Sequence, residues 1–339
     1  MYHQNMRLTS KVLFGIFVLN MTTQAQPVFV DGVTLDGGWY DCNKKHNWNW
    51  VAKPTTYYTD SFPDDNSMCW AHSASNILQW WQDRQDASLL PSAAPNGASN
   101  TATVYRALNP NTGVYQYFDD TLHVQQLAIF KDVAANWSNT PGTVKQVYNW
   151  YFNGGYVPDF GGNLTNQNSG GYYADLGLRM NDDGVTSSLF TSYTFNDYFT
   201  KVEVTDALTG YIDNNYGTTL RVIGAVGGHA ITMWGYEFIN DDFYVYLTDS
   251  DDLQHALIKQ KVIFGDNLYV YLTACDGDAA VYTDSYTTFI NGEQQTFQGI
   301  LLSEAQAFMA PKLSIPEPST ATLAMLSLTA LLARRRRKS

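Results

Sequence analysis

Apolar side chains recur at helical spacing directly after Cys69, and polar residues of the kind that cap helices precede it at positions 64–67. The apolar set comprises Trp70, Ala74, Ile77, Leu78 and Trp81. This pattern predicts a helix from Cys69 to about Arg84 that buries one of its faces. The same spacing predicts three further helices, over residues 121–136, 142–152 and 205–215.

In the C-terminal half the pattern changes to short runs rich in β-branched and aromatic residues, with turn-forming residues between them. The five predicted strands span residues 218–225, 230–238, 243–248, 256–264 and 268–274. Asn291-Gly292 separates two further runs, 286–290 and 296–302, and this dipeptide is typical of a tight β-hairpin. Helices in the first half and antiparallel strands in the second predict an α+β fold.

The first 25 residues have the pattern of a secretory signal peptide. Arg7 and Lys11 precede an apolar run at positions 12–19, and a stretch of small and polar residues ends at Ala25, where we expect cleavage. We therefore expect the chain to leave the cytoplasm. No internal repeat or linker divides the body of the chain, so we expect one domain over residues 26–310.

The C-terminal segment, residues 314–339, combines three features. Pro316-Glu317-Pro318 is followed by apolar residues as far as Ala333, and then by five basic residues at 334–338. The apolar stretch is shorter than the roughly 20 residues of a full membrane span, and the basic cluster is typical of the inner side of a membrane. Together they resemble the PEP-CTERM sorting signal of bacterial surface proteins. The resemblance implies membrane attachment through this tail, then processing by an exosortase-type enzyme; a plain tail anchor is the alternative.

Charge narrows the range of partners. The chain holds 20 basic and 32 acidic residues, a formal net charge of −12. Loss of both terminal segments removes seven of the basic residues and brings the remaining domain to about −18. A surface this acidic argues against nucleic acid as a partner and against adhesion to anionic lipid.

Candidate chemistry begins at Cys69, the first residue of the predicted helix. A helix N-terminus favours a thiolate, because its unpaired N–H groups and the helix dipole stabilise negative charge. His229 follows two glycines at the start of a predicted strand, and Asp249 follows the next strand. A base that takes a thiol proton needs an acceptor to hold its ring, so His229 and Asp249 are the candidate base and acceptor.

The other candidate residues indicate no second site. The chain has three cysteines, which cannot all pair, and we expect Cys69 to stay reduced. A bridge between Cys42 and Cys275 is left open. His72, three residues after Cys69, is expected to be structural or at the surface, although its position allows it to flank the site. The acidic run at 249–252 lacks the Gly and distal Glu of a calcium loop, so no metal is expected.

Five short segments occur in a fixed order between about residues 30 and 255. They are Trp39-Tyr40-Asp41 followed by Lys44; Asp65-Asn66-x-x-Cys69; Asn76-Ile77-Leu78-Gln79-Trp80-Trp81; Gly228-His229 followed by Trp234-Gly235; and Tyr246-Leu247-Thr248-Asp249-Ser250-Asp251. In this order they resemble the IdeS/Mac family of immunoglobulin-degrading cysteine proteases. The resemblance implies a papain-like fold, with a helical half carrying the Cys and an antiparallel β half carrying the His and Asp.

The resemblance also implies a role for each matching residue. Cys69 is the nucleophile, His229 is the base, and Asp249 orients the His. Asp251 supports the site, and Lys44 lines the oxyanion hole. No cofactor is implied.

The segment between Lys44 and Cys69 is longer here than in the family. Lys45 or Lys53 can therefore fill the oxyanion hole in place of Lys44. The longer segment also changes the rim of the cleft, where a protease selects its substrate.

We therefore expect a secreted or surface-attached bacterial cysteine endopeptidase that cleaves protein substrates, with immunoglobulin implied by resemblance only. A transglutaminase-like acyl transferase also uses Cys, His and Asp in that order. Its usual separation between Cys and His is much shorter than the 160 residues between Cys69 and His229. A non-catalytic surface or matrix protein is the alternative from another class, favoured by the sorting tail and the Tyr-rich composition.

Overall fold

A computed structural model describes residues 26–42, 44, 65, 67–95, 127–137, 139–155, 168–178, 189–195, 199–224, 227–250, 257–265, 270–274, 285–290 and 293–313. The expected signal peptide at 1–25 and the expected sorting signal at 314–339 lie outside these residues and stay predictions. In the part of the chain that is described, no helix has the length and apolar character needed to cross a membrane.

The described residues contain four α-helices: α1 (Cys69–Gln82), α2 (Ala128–Asn136), α3 (Val144–Asn153) and α4 (Lys201–Asp213). The predicted helix start at Cys69 is confirmed. α4 begins before the predicted position 205, because Thr200 and Glu203 form a capping box that satisfies the first backbone N–H groups. α3 ends at Asn153, directly before Gly154 as predicted, and the φ of 74° at Gly154 is one that glycine adopts readily.

Ten strands are described: β1 (Val28–Phe29), β2 (Phe190–Thr194), β3 (Gly217–Gly224), β4 (Gly227–Ile239), β5 (Asp242–Thr248), β6 (Ile258–Phe264), β7 (Val270–Ala274), β8 (Ser285–Ile290), β9 (Glu293–Gln298) and β10 (Ile300–Phe308). The five predicted strands correspond to β3–β7. The predicted hairpin is confirmed by β8 and β9, which pair from Ile290 and Glu293 outward. The predicted run 296–302 is divided between β9 and β10, and the sequence analysis missed β1 and β2.

Six antiparallel strands close into a barrel. The sheet order is β1-β4-β3-β10-β7-β6-β5, and β5 pairs back onto β4. β1 extends the sheet beyond β4, and β2 pairs with the far part of β10. The predicted papain-like α+β fold, with a separate helical half carrying Cys69, is therefore wrong: the fold is a closed barrel, with only four helices among the described residues. The sequence predicted the strands, but it did not show that β10 returns to β3 and closes the barrel.

Side-chain alternation separates the barrel interior from its helix-covered outer face. Ladder pairs such as Leu220–Ile231 and Met233–Leu247 join residues that are almost fully buried and fill the interior. The neighbouring pair Thr219–Thr232 points the other way. On that face the Oγ1 atoms of Thr219 and Thr232 lie 2.8 and 3.0 Å from Ser73 Oγ of α1. The helix that carries Cys69 thus packs directly on the outside of the barrel.

Aromatic rings fill the space between α1, α3 and β10. Trp81 of α1 lies 5.0 Å from Phe152 of α3 and 6.1 Å from Phe308 of β10, measured between ring centroids. Tyr148 of α3 lies 4.7 Å from Phe308. Rings of this size bury large apolar areas and prefer the tilted and edge-on contacts seen here. This cluster fixes one end of α1 while its other end reaches the candidate site.

The carboxyl of Asp83 gives the fold a dependence on pH. Asp83 follows α1 and accepts hydrogen bonds from Gln79 Nε2 at 2.9 Å and from the Tyr40 hydroxyl. Burial raises the pKa of this carboxyl to about 7, opposed by the nearby guanidinium of Arg84. Between about pH 4 and pH 7 the folded state therefore holds a proton that the unfolded state has lost. The stability contributed by this proton is fully present below about pH 4 and is lost as the pH rises to 7.

We expect Asp83→Asn to raise the free energy of unfolding by about 2 kcal/mol at pH 8 and to change it little at pH 4. Partial exposure of the carboxylate to solvent limits the effect at pH 8. Chemical denaturation at the two pH values measures this difference. Asp36→Asn, at an exposed turn position, is the control and should have no such effect. Equal effects of Asp83→Asn at both pH values would contradict the assignment.

Candidate active site

Cys69 begins α1, and the turn before it is held by two side chains. The indole N–H of Trp70 donates to the backbone carbonyl of residue 67 at 2.9 Å, and Asn139 Oδ1 accepts from the N–H of residue 67 at 2.8 Å. The residue at the N-cap is Met68, which provides no side-chain hydrogen bond, so the predicted polar cap among residues 64–67 does not occupy that position. The positive end of the helix dipole is thus directed at the partly buried Cys69.

His229 and Asp249 form a buried hydrogen-bonded pair at the rim of the barrel, where β4 begins and β5 ends. His229 Nε2 lies 2.6 Å from Asp249 Oδ1, and the two side chains are 3% and 2% exposed. The strand register explains the contact. Thr232 pairs with Thr248, so the next residue of the chain, Asp249, lies on the same face as His229.

The protein compensates for burying this carboxylate. An unpaired carboxylate in the interior costs several kcal/mol, so a buried Asp needs a cation or strong hydrogen-bond donors. The imidazole of His229 supplies one such contact to Asp249. Because the carboxylate accepts at Nε2, the ring carries a hydrogen on that nitrogen, and Nδ1 is the nitrogen that remains for a second contact.

A short segment, residues 39–42 and 44, connects α1 to the end of β5; we call it the strap. The N–H of Lys44 donates to the carbonyl of Ser250 at 2.7 Å, and the N–H of Cys42 donates to Asn76 Oδ1 of α1 at 2.9 Å. The side chain of Lys44 is buried. The backbone of Lys44 therefore lies beside Ser250, the residue that follows Asp249.

The packing of α1 on the barrel brings Cys69 toward the same rim. Ser73 meets Thr232, and further along the helix Trp80 meets Trp234 at 6.5 Å between ring centroids. The start of α1 and the start of β4 therefore lie toward the same end of the barrel. Cys69 lies one turn before Ser73, about 6 Å along the helix. His229 lies three residues before Thr232, about 10 Å along the strand.

Three of the predicted residues cannot be placed. Asp251, Lys45 and Lys53 lie outside the described residues, so their roles stay predictions. Among the residues that the structure does describe, no group of three or more His, Cys, Asp or Glu side chains is arranged to hold a metal ion.

His72 forms a second contact between an imidazole and a carboxylate that the sequence analysis did not predict. The ring is fully buried, stacks on Phe130 at 3.8 Å between centroids, and places Nε2 at 3.5 Å from Asp65 Oδ2. The burial of His72 excludes a position at the surface and leaves the predicted structural role. In the sequence, the only signal was the position of His72 three residues after Cys69. Nothing in the sequence indicated Asp65 as the partner of His72.

Cys42 is a poor candidate for chemistry. Burial raises the pKa of the Cys42 thiol well above its usual value, and the nearby carboxylates of Asp41 and Asp65 raise it further. All three effects oppose formation of a thiolate. Cys275 lies outside the described residues, so the Cys42–Cys275 bridge stays a prediction.

We expect iodoacetamide at neutral pH to alkylate Cys69 in the folded protein and to spare Cys42, because only the former is partly accessible and at a helix start. Peptide mass spectrometry after brief treatment measures the two rates, and treatment in denaturant should equalise them. Alkylation of Cys42 as fast as Cys69 in the folded protein would contradict this account of the two thiols.

The similarity of the chain to known proteins is at the level of a family. No curated protein matches the chain. A family model described as Mac 1 matches residues 28–266 of the 339, a range that contains Lys44, Cys69, His229 and Asp249. Mac 1 denotes the IdeS/Mac family, whose members are associated with cysteine protease activity and are typically secreted. The chain therefore belongs to the IdeS/Mac family.

Proposed function

We propose that this protein is an extracellular cysteine endopeptidase in which Cys69 is the nucleophile, His229 the base and Asp249 the residue that orients the base. The observation that carries the proposal is the buried hydrogen bond of 2.6 Å between His229 Nε2 and Asp249 Oδ1. A carboxylate at this distance fixes the ring and stabilises the imidazolium that forms when the ring accepts a proton. With Nε2 directed at Asp249, Nδ1 is the nitrogen that takes the thiol proton.

The reaction then proceeds in two stages. The Cys69 thiolate attacks the peptide carbonyl carbon, a C–S bond forms, and the carbonyl oxygen becomes an oxyanion. The imidazolium of His229 gives its proton to the amide nitrogen, and the C–N bond breaks. A water molecule, deprotonated by His229, attacks the acyl-enzyme, and the C–S bond breaks to release the acid and restore the thiol.

Lys44 and the backbone N–H of Cys69 are the proposed oxyanion donors. Lys44 is buried, and its own N–H is bound to the carbonyl of Ser250, so the strap fixes its backbone within one residue of Asp249. A fixed cation directed at the developing oxyanion stabilises the transition state more than the ground state. This placement supports Lys44 as the lysine that lines the hole.

The proposed substrate is a protein, with immunoglobulin as the example that the family suggests. Secretion is in keeping with the family and with the pattern of residues 1–25. We further propose that the segment 314–339 attaches the chain to the membrane and is processed by an exosortase-type enzyme. The net negative charge of the sequence suits a protein that works outside the cell without binding nucleic acid.

The proposal is tested by incubating the full chain with immunoglobulin G, and in parallel with a mixture of extracellular proteins, and then sequencing the new N-termini. Cleavage at new peptide bonds supports an endopeptidase. Incorporation of an added primary amine without new N-termini would instead show acyl transfer. Failure to modify any protein would favour a non-catalytic surface protein.

We expect Cys69→Ala to reduce the rate of cleavage by a factor on the order of 10³ or more, and His229→Ala to be similarly damaging, because nucleophile and base act as a unit. Cys42→Ala is the matched control and should keep most of the activity of a correctly folded protein. Appreciable cleavage by Cys69→Ala, with Cys42→Ala inactive, would refute the assignment of the nucleophile.

We expect Lys44→Ala to lower kcat by about 10²-fold, which is the usual effect of removing one oxyanion donor. The rate at which iodoacetamide alkylates Cys69 should change little, since formation of the thiolate depends on His229 and the helix start. Lys201→Ala, which removes an exposed lysine at the start of α4, should affect neither quantity. If Lys44→Ala has a normal kcat and Lys45→Ala or Lys53→Ala has a low one, the oxyanion donor is Lys45 or Lys53 and not Lys44.

A further inference from the structure

We propose that a buried polar network of Ser73, Asn76, Thr219 and Thr232 sets the position of Cys69 relative to His229. The four side chains are positioning residues in this proposal, since none of them is placed to contact the reacting atoms. The proposal rests on the function proposed above and adds residues to which that mechanism gives no role.

The network joins α1 to two strands and to the strap. Asn76 Nδ2 donates to Thr232 Oγ1 at 3.3 Å, and Thr232 Oγ1 donates to Ser73 Oγ at 3.0 Å. Ser73 Oγ lies 2.8 Å from Thr219 Oγ1. The N–H of Cys42 in the strap donates to Asn76 Oδ1 at 2.9 Å. All four side chains are at most 2% exposed.

The hydrogen bonds from Cys42 to Asn76, from Asn76 to Thr232 and from Thr232 to Ser73 run in one direction, so each depends on the next. The N–H of Cys42 can only donate, which fixes the oxygen of the Asn76 amide toward the strap and its nitrogen toward β4. Thr232 uses its single hydroxyl proton toward Ser73, and the Ser73 proton is then available for Thr219. A chain of this kind in a low-dielectric interior is strengthened by mutual polarisation, and each missing member leaves a buried polar group unsatisfied.

The network lies on the same face of α1 as Cys69. Ser73 and Asn76 follow Cys69 by four and seven residues, and side chains at this spacing share one face of a helix. On β4, Thr232 lies three residues after His229. The network therefore joins α1 to β4 by directional contacts one turn after Cys69 and three residues after His229, whereas apolar packing alone would allow α1 to slide or rotate. Displacement of a reacting group by about 1 Å is enough to cost on the order of 10²-fold in rate.

The test compares two buried serines of α1. Ser73→Ala removes a contact to the barrel. Ser75→Ala removes a hydroxyl that is just as buried but donates within the helix, to the carbonyl of Ala71 at 2.7 Å. Thr232→Val breaks the network at its centre with little change in shape, and Thr232→Ser restores the hydroxyl. For each full-length variant we measure kcat and KM on a protein whose cleavage requires Cys69, the pH profile of Cys69 alkylation by iodoacetamide, and Tm.

We expect Thr232→Val and Ser73→Ala to lower kcat by about 10-fold to 10²-fold with KM within about twofold, because misplaced groups weaken the transition state more than substrate binding. Their alkylation profiles should move to higher pH, since the thiolate loses its approach to His229. Thr232→Ser should recover most of kcat, and Ser75→Ala should lower only Tm. If Thr232→Val does not fold, Ser73→Ala against Ser75→Ala decides the question.

The outcomes separate this inference from the proposed function. If Cys69→Ala is inactive but Ser73→Ala and Thr232→Val match Ser75→Ala in kcat and in alkylation profile, the network is merely structural and only this inference is overturned. If Cys69→Ala cleaves as well as the unmodified chain, the proposed function is overturned, and the positioning role is overturned with it.

Discussion

A carboxylate buried at the rim of a closed barrel is the constraint on which the candidate site depends. The side chain of Asp249 is 2% exposed, and an isolated charge at such a position would cost several kcal/mol. The fold compensates by placing His229 at 2.6 Å on the adjacent strand. The strap is fixed beside this pair, because the backbone N–H of Lys44 donates to the carbonyl of Ser250, the residue after Asp249. Because both strands belong to a closed sheet, the relative position of acid and base is held by the barrel and does not rely on a mobile loop.

The nucleophile is supplied by a different element, and its alignment is a separate problem. α1 lies on the outside of the barrel, whereas His229 leaves β4 on the interior face together with Ile231. The two groups can meet only over the rim, which makes the height and rotation of α1 critical. Aromatic packing around Trp81 fixes the far end of the helix, and the hydrogen bonds of Ser73 and Asn76 fix the end close to Cys69.

Local features of this structure were predictable from the sequence, and pairings between distant elements were not. The start of α1 and the runs of β3 to β7 follow from the spacing of apolar residues, which is a local property of the chain. Barrel closure depends on β10 returning to β3 and on β5 returning to β4, and no short segment records either pairing. Cys69, His229, Asp249 and Lys44 were predicted as site residues because their segments carry recognisable residues in a fixed order. The contacts of Thr232 with Ser73 and Asn76 could not be predicted, since a threonine in an apolar strand has no distinguishing neighbours in the sequence.

The central claim is that Cys69 and His229 form one acid–base unit at the rim of the barrel. The most direct measurement is the ultraviolet absorbance of thiolate as a function of pH, compared among the unmodified protein, Cys69→Ala and His229→Ala. The account predicts one thiolate already present at neutral pH, absent in Cys69→Ala and shifted to alkaline pH in His229→Ala. A titration in which thiolate appears only near the ordinary cysteine value of about 8.5, and is unchanged by His229→Ala, would contradict the account.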